Sequence, residues 1–344
     1  MSYKVTVEPL GLSFEVAEGQ NVLDAALAAD IILPYSCKGG GCSTCKGKVL
    51  EGGYEAGEAP EHILEQHELD EGYTLMCQAC PTSDMRIESP QARLVTDIQV
   101  RKMPARVIEK EPLADDVMRL VLQLPAGQPV NYYAGQYIDV LLKDGRRRSY
   151  SMANPPHENN QVELHLRHMP GGLFTDHVFG ATEPAMKERA ILRTEGPMGS
   201  FFLREESDRP IVFLASGTGF APIKAIIEHM QAKNIQRKVY LYWGSRRPKD
   251  IYMMELAQQW AQVLPNFHFI PVVSEALPED NWVGRDGLVH HAVMHDLPDL
   301  SGFEVYACGA PIMVENAQRD FVAECGLDEA LFYADAFTSE ADLA

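Results

Sequence analysis

Three cysteines stand within nine residues near the start of the chain, in the spacing Cys37-x4-Cys42-x2-Cys45, and Cys77 follows later. Glycines 39–41 lie between the first two. Four cysteines at this spacing are typical of a plant-type [2Fe-2S] site, and glycine allows the tight loop in which backbone N–H groups approach the bridging sulfides. The spacing therefore predicts a loop that gathers four thiolates around two irons.

A structural zinc site is the alternative interpretation of four cysteines. Such sites usually show two short Cys-x2–4-Cys hooks. Cys77 and Cys80 offer one hook, but Cys37 would then be surplus, so the sequence favours the iron-sulfur interpretation. We interpret Cys80 and Cys325 as spare thiols that pack as small apolar side chains. An odd count of seven cysteines also argues against a disulfide framework and indicates a reducing compartment.

Length and charge limit the classes of function. A chain of 344 residues is too long for one ordinary core, and three domains suit its motifs. A net charge of −19 argues against nucleic-acid binding. Residues 1–92 hold fifteen acidic and five basic side chains, which form either a solvated surface or a face that steers an electropositive partner. No run of eighteen apolar residues and no apolar leader is present, so we expect a cytoplasmic protein without a membrane partner. We also expect a monomer.

Hydrophobic periodicity divides the chain into three domains and one linker. Within 1–92, a β-hairpin around Gly11, a helix at Val22–Ala29 and later short strands are predicted, with an acidic helical stretch at 59–70. Residues 93–103 are the predicted linker. Short alternating runs across 104–206 predict a small antiparallel β-barrel, and apolar strands that alternate with helices across 207–344 predict a parallel sheet.

One strand motif carries the resemblance to a known family. Arg148-Ser149-Tyr150-Ser151 resembles the Arg-x-Tyr-Ser/Thr signature of the ferredoxin-NADP reductase superfamily. The arginine can pair with a flavin phosphate, the tyrosine can stack on the isoalloxazine, and Ser151 can hydrogen-bond near flavin N5. Downstream, 171–175 resembles the second phosphate site of that family. The flavin-binding assignments are Arg148, Ser149, Tyr150, Ser151, His165, Arg167, Gly171, Gly172, Leu173, Phe174 and Thr175.

Two later segments resemble the pyridine-nucleotide site of the same superfamily. A glycine-rich loop at 215–222 follows an apolar strand and opens a helix, where a nucleotide loop must lie. The segment 308–311 follows another strand and matches the Cys-Gly-x-Pro pattern beside the nicotinamide. The nucleotide-binding assignments are Gly217, Thr218, Gly219, Pro222, Ser245, Arg246, Cys308, Gly309 and Pro311.

The end of the chain, Tyr333–Phe337, resembles the terminal segment of that family, in which an aromatic ring covers the flavin. A core aromatic is the alternative, because seven residues follow Phe337. The residues assigned to catalysis are Ser151, Cys308 and Phe337.

The order of the motifs resembles that of oxygenase reductase components and of CDP-6-deoxy-Δ3,4-glucoseen reductases. The resemblance implies a β-grasp ferredoxin domain, a flavin-binding β-barrel and a parallel-sheet nucleotide domain. It implies a [2Fe-2S] cluster, FAD and NADH or NADPH, of which the pattern Gly244, Arg246, Asp250, Tyr252 favours NADH. The implied partner is a PMP-dependent sugar dehydrase or an oxygenase or hydroxylase component. An iron-sulfur carrier with a degenerate nucleotide domain is a third hypothesis, disfavoured by the intact glycine loop.

Histidines outside these motifs receive structural interpretations. His290, His291 and His295 lie on a segment, 288–297, that is typical of an ordinary helix and predicts no metal site. His168 and His177 lie close to the predicted flavin phosphate segment and are candidates for a contact there.

Overall fold

The computed structural model describes residues 1–61, 63–95, 97–127, 130–157 and 160–337. The last seven residues of the predicted nucleotide domain, 338–344, lie outside the described residues. The chain forms two compact units. The first contains the described residues of 1–97, 199–201 and 334–337, and the second contains those of 98–198 and 202–333.

The first unit is built on a mixed five-stranded sheet. Val5, Val7 and Val16 are fully buried on one face, as their alternation in the sequence requires. Asn21 begins the following helix, because its side chain accepts the Asp24 N–H at 2.7 Å. The sheet order is β2-β1-β8-β4-β6. The elements are β1 (Ser2–Glu8), β2 (Leu12–Ala17), α1 (Val22–Ala28), β3 (Ile31–Ile32), β4 (Lys46–Glu51), β5 (Tyr54–Glu55), α2 (Gln66–Asp70), β6 (Tyr73–Leu75), β7 (Cys80–Pro81), β8 (Met85–Glu88) and β9 (Arg93–Leu94).

One predicted element of this unit is too long. The acidic stretch expected to be helical over 59–70 is helical only as α2, from Gln66. The Glu65 N–H donates to Glu68 Oε2 at 2.9 Å, which fixes the first turn at that point. The predicted hairpin, the helix after Asn21 and the strands near 46–50 and 85–87 are confirmed.

The second unit begins with six antiparallel strands in the order β13-β12-β15-β10-β11-β14. A bridge between Met152 and Leu164 joins the two end strands, and both of these side chains are fully buried. This sheet corresponds to the predicted flavin-binding barrel. Its first strand begins inside the range predicted as a linker. The elements are β10 (Arg101–Ala114), β11 (Val117–Gln123), β12 (Tyr137–Leu141), β13 (Arg147–Ser151), β14 (Gln161–Arg167), α3 (Leu173–Phe179) and β15 (Ile191–Met198).

A second sheet, in the order β19-β18-β17-β16-β20-β21, lies in this unit as far as Tyr333 on β21. Strands β16 to β20 are parallel, and β16 is apolar and fully buried from Ile211 to Ala215, as a central parallel strand should be. The elements are β16 (Ile211–Ser216), α4 (Phe220–Ala232), β17 (Val239–Ser245), α5 (Met254–Val263), β18 (Phe267–Val273), β19 (Arg285–Asp286), α6 (Val289–Asp296), β20 (Glu304–Gly309), α7 (Pro311–Cys325) and β21 (Phe332–Ala336).

The register of this sheet brings three predicted segments together at the carboxyl ends of its strands. Ala215 lies opposite Cys308 on β20, and Ser216 lies opposite Gly244 on β17. The carboxyl ends of these neighbouring parallel strands are where open α/β sheets bind ligands. Among the described residues, no helix has both the length and the apolar character that crossing a membrane requires.

Candidate functional site: a cysteine loop and a two-motif cofactor cleft

Three of the predicted cluster ligands lie on the loop between β3 and β4, and Cys77 lies two residues after the end of β6. Cys42, Cys45 and Cys77 are buried, and the Sγ atoms of Cys45 and Cys77 are 3.3 Å apart. The Gly39 N–H points to Cys37 Sγ at 3.4 Å. A short glycine loop thus brings the thiols together.

The four thiols form two hydrogen-bonded pairs, Cys37 with Cys42 and Cys45 with Cys77. A hydrogen bond with Cys42 lowers the pKa of Cys37 to about 6, against the opposing effect of burial and with help from the Gly39 N–H. The bond with Cys37 and burial raise the pKa of Cys42. The pKa of Cys77 is lowered and that of Cys45 is raised by the bond between those two. Because iron binds thiolates, this donor set fits a cluster held by four cysteines.

The predicted flavin strand is β13, and its side chains differ in their contacts and burial. Ser149 Oγ donates to Asp139 Oδ1 on β12 at 2.7 Å. Arg148 Nη1 donates to the Arg147 carbonyl at 2.8 Å, and Ser151 is buried at the end of the strand. Burial raises the pKa of Tyr150, whose ring centroid lies 5.6 Å from that of Phe174. This ring contact joins the two predicted flavin motifs.

The second flavin motif is a closed glycine turn at the start of α3. Gly171 has a φ of +83°, and a Cβ on Gly172 would lie 2.6 Å from Thr175 Oγ1, so both positions need glycine. Thr175 Oγ1 donates to the Met169 carbonyl at 3.0 Å. Leu173 is half exposed. The turn presents the first backbone N–H groups of a helix, which is the arrangement that phosphate oxygens favour.

Both histidines near this turn contact protein groups. His168 Nε2 lies 2.9 Å from Asp176 Oδ1, and its ring stacks on Phe179. His177 Nδ1 lies 2.7 Å from the Pro184 carbonyl oxygen. The His168 contacts support the turn, whereas His177 holds the chain that follows α3.

The nucleotide loop and the end of β20 pack against each other without room for a side chain at Gly219 or Gly309. A Cβ on Gly219 would lie 2.1 Å from the Cys308 carbonyl oxygen, and one on Gly309 would lie 2.2 Å from Ser216 Oγ. The Ala310 N–H donates to Ser216 Oγ at 2.9 Å. Pro222 and Pro311 lie at the start of α4 and α7. The fold thus joins the two predicted nucleotide segments into one cleft wall.

Aromatic rings of β17 and α4 pack against the nucleotide loop. Trp243 Nε1 donates to the Gly217 carbonyl at 3.1 Å, and its ring stacks on Phe220 with centroids 3.8 Å apart. Tyr252 meets Trp243 edge-on at 5.1 Å. Because Trp243 lies on β17 and the loop follows β16, this contact fixes the loop relative to the sheet.

Comparisons with known proteins agree with this arrangement. Residues 5–82 match the family described as 2Fe-2S iron-sulfur cluster binding domain. Residues 104–203 match the oxidoreductase FAD-binding domain, and 213–319 match the oxidoreductase NAD-binding domain.

Relatives span nearly the whole chain. The CDP-6-deoxy-L-threo-D-glycero-4-hexulose-3-dehydrase reductase of Yersinia pestis is 40% identical over 98% of this chain and 99% of its own. Reductase component 2 of terephthalate 1,2-dioxygenase from Comamonas is 35% identical over 98% of both. The crystal structure of an Amycolatopsis cytochrome P450 reductase is similar, with a TM-score of 0.76, 33% identity, and 98% of this chain and 99% of that one covered.

The chain belongs to the iron-sulfur flavoprotein reductases of the ferredoxin-NADP reductase superfamily. The reductase uses NAD(P)H, FAD and a [2Fe-2S] cluster for electron transfer. The predicted β-grasp, flavin-binding and nucleotide-binding folds are confirmed by the sheets described above.

The sequence did not point to a buried charge network inside the second unit of the reductase. Glu163 on β14 accepts from Arg119 Nε at 2.8 Å, lies 2.9 Å from His165 Nε2, and pairs with Lys224 Nζ at 3.2 Å. Lys224 also donates to the Ala153 carbonyl at 3.0 Å, two residues after Ser151. A carboxylate and a histidine within the largely buried strand β14 are the sequence signal that could have revealed it.

The network connects the flavin strands to the nucleotide loop. His165 Nδ1 lies 2.9 Å from Tyr252 Oη, and burial raises the pKa of Tyr252. Arg167 ends the same strand, and its Nη1 lies 2.9 Å from where a Gly217 Cβ would be. The structure therefore places His165 within the network and Arg167 against the nucleotide loop.

Other residues singled out in the sequence differ in exposure and in their contacts. Ser245 Oγ donates to the Arg247 carbonyl at 2.6 Å, while the side chain of Arg246 is exposed. Phe337 is half-buried at the end of the described chain. His290 lies in α6 with Nε2 3.4 Å from Asp320 Oδ2, and His291 completes a group of three potential ligands within 4.8 Å. The predicted helix is confirmed there.

We expect Gly219→Ala to lower kcat/KM for NADH-dependent flavin reduction about a hundredfold, because the new methyl group must separate the loop from Cys308. The measurement is stopped-flow flavin bleaching on protein with normal flavin content. Gly302→Ala is the matched control, since no atom lies within 4 Å of the Cβ that this change would add. Equal rates for the two variants would contradict the close packing.

We expect the free energy of unfolding of the second unit to fall in acid through Glu163. Burial raises its pKa, but His165, Lys224 and Arg119 together outweigh this and hold the pKa well below its usual range. The contribution is therefore complete above the unfolded pKa of about 4.3 and is lost as the pH falls towards the folded pKa.

Urea unfolding followed by tryptophan fluorescence tests this, because all three tryptophans lie in the second unit. Glu163→Gln should show a shallower loss of stability below pH of about 4 than the parent protein. Glu279→Gln, at an exposed carboxylate, should follow the parent. Parallel curves for Glu163→Gln and the parent would refute the assignment.

Proposed function

We propose that this reductase oxidises NADH and delivers the electrons singly to a PMP-dependent sugar dehydrase. The 40% identity to the Yersinia pestis dehydrase reductase, across nearly the full length of both chains, supports this choice of acceptor. The proposed redox chemistry rests on one observation. Gly219 lies so close to the Cys308 carbonyl that the two nucleotide segments form one wall of the cleft. We also propose a cytoplasmic location, where the seven thiols stay reduced.

The protein residues bind and orient the cofactors. Bound FAD accepts a hydride and releases electrons one at a time. In our proposal the 217–219 loop and the segment 308–311 hold the nicotinamide nucleotide, while Tyr150 and the turn at 171–175 hold the flavin and its phosphates. Ser151 and Cys308 border the reacting atoms, and Phe337 covers the flavin face. No side chain is required as a general base, so rate depends on placement.

The cluster is the exit for electrons in this proposal, with Cys37, Cys42, Cys45 and Cys77 as its ligands. The acidic domain around it, proposed as residues 1–92, offers a face that attracts an electropositive partner. The proposed linker is 93–103, and the flavin and nucleotide domains are 104–206 and 207–344.

An oxygenase component is the second candidate acceptor. The terephthalate dioxygenase reductase of Comamonas aligns with 98% of this chain, and both types of reductase pass electrons to a partner according to their names. Purified dehydrase with its sugar substrate and purified oxygenase component, each mixed with the reductase and NADH, separate the two. Turnover by the oxygenase alone would overturn the dehydrase assignment.

We propose NADH as the preferred nucleotide. The Ser245 hydroxyl and the Arg247 guanidinium, which could bind a 2′-phosphate at the end of β17, are engaged instead with the Arg247 carbonyl and, at 2.6 and 2.8 Å, with Asp280. Arg246 is left as the exposed guanidinium there. Steady-state assays should give a kcat/KM for NADH at least about tenfold above that for NADPH. A higher value for NADPH would reverse the assignment.

We expect Cys42→Ser to keep most NADH–ferricyanide activity and to abolish reduction of a one-electron acceptor protein, because it removes a cluster ligand and leaves the second unit unchanged. Both activities are measured on the same flavin-containing preparation. Cys80→Ser is the matched control, since Cys80 lies three residues from Cys77 and contacts the Gln78 carbonyl. Loss of both activities in Cys42→Ser with flavin retained would show that the division of roles is wrong.

A further inference from the structure

The two residues before Cys37 connect the cluster loop to distant parts of the sequence. The Tyr35 N–H donates to Ser200 Oγ at 2.8 Å, and Ser200 Oγ lies 3.1 Å from the Tyr35 carbonyl oxygen. The Gly199 N–H donates to Tyr35 Oη at 2.6 Å. All of these residues belong to the first compact unit. The backbone just before the first cluster ligand is therefore fixed on both sides of Tyr35.

Ser36 makes the second connection, to the end of the chain. Its Oγ donates to Asp335 Oδ1 at 2.6 Å and lies 3.2 Å from the Ala336 carbonyl oxygen. Ser36 and Asp335 are 9% and 5% exposed, so water competes little for this bond. A hydrogen bond to a buried carboxylate is among the stronger ones in proteins. The bond therefore orders the cluster loop and the C-terminal strand with respect to each other.

This geometry joins two functional segments through a very short path. Ser36 is covalently linked to Cys37, and Ala336 is covalently linked to Phe337. One hydrogen bond separates the two pairs. An electron crosses covalent and hydrogen bonds more readily than an open gap, and the coupling depends on a fixed arrangement of the segments.

We propose that Ser36 is a positioning residue for electron transfer from the flavin to the cluster, acting by holding the strand that precedes Phe337 against the cluster loop. The proposal rests on the proposed place of Phe337 beside the flavin. The route conserves electrons: one NADH gives NAD+, a proton and two electrons, and each electron passes singly through the cluster to the acceptor. Ser36 itself is neither oxidised nor reduced.

The test compares Ser36→Ala with Ser36→Thr and Ser43→Ala in the holoenzyme. Stopped-flow absorbance follows flavin reduction by NADH, and rapid-freeze electron paramagnetic resonance follows the appearance of the reduced cluster. Ser36→Ala should reduce its flavin at the parent rate but its cluster about tenfold more slowly, because the ordered arrangement is populated less. Ser36→Thr keeps the hydroxyl and should restore the rate. Ser43→Ala changes a serine beside another ligand, Cys42, and should behave as the parent protein.

A second readout does not depend on turnover. Hydrogen–deuterium exchange of the backbone amides at 334–337, measured in the oxidised protein, should be faster in Ser36→Ala than in Ser43→Ala. If the alanine at position 36 lowers cluster content, Asp335→Ala removes the same bond from the other side and should give the same slow cluster reduction.

Two results would overturn the inference: a parent rate of cluster reduction in Ser36→Ala or in Asp335→Ala with intact cofactors, or unchanged amide exchange at 334–337. A parent protein whose flavin is reduced by NADH while its cluster stays oxidised would instead refute the proposed electron route.

Discussion

The close approach of Gly219 to the Cys308 carbonyl is the contact on which the nucleotide cleft depends. Parallel pairing of β16 with β20 brings the two strand ends side by side, and the absence of a side chain lets the loop turn directly over its neighbour. Trp243 then fixes the Gly217 carbonyl from the next strand. Because placement rather than acid–base chemistry governs hydride transfer between cofactors, a rigid cleft wall is the main contribution of the protein.

The buried network around Glu163 extends this rigidity to the flavin strands. A lone buried carboxylate would be costly, but three cationic or hydrogen-bonding partners surround Glu163, and one of them, Lys224, lies on the helix that the nucleotide loop opens. Lys224 reaches the Ala153 carbonyl close to Ser151. The two halves of the second unit are thus joined by polar contacts whose geometry is specific, whereas apolar packing alone would tolerate small shifts.

The shape of the cluster loop depends on hydrogen bonds among its own thiols and to the C-terminal strand. The hydrogen bonds within the pairs Cys37–Cys42 and Cys45–Cys77 lower one thiol pKa and raise the other in each pair, and the residue before Cys37 is bonded to the C-terminal strand. Order in a glycine-rich loop has an entropic cost that such tertiary bonds offset. The loop therefore depends for its shape on residues that are distant in sequence.

The sequence by itself determined the cysteine spacing, the alternation that makes β-strands, the apolar strands of the parallel sheet and the glycines of the turns, because these are local properties of neighbouring residues. Local pattern was least reliable at element ends, as at α2, where a hydrogen bond at Glu65 set the start. Only the tertiary structure decided that Glu163 meets Lys224 and that Ser36 meets Asp335, 299 residues away. Such pairs depend on strand register and packing, which no local spacing encodes.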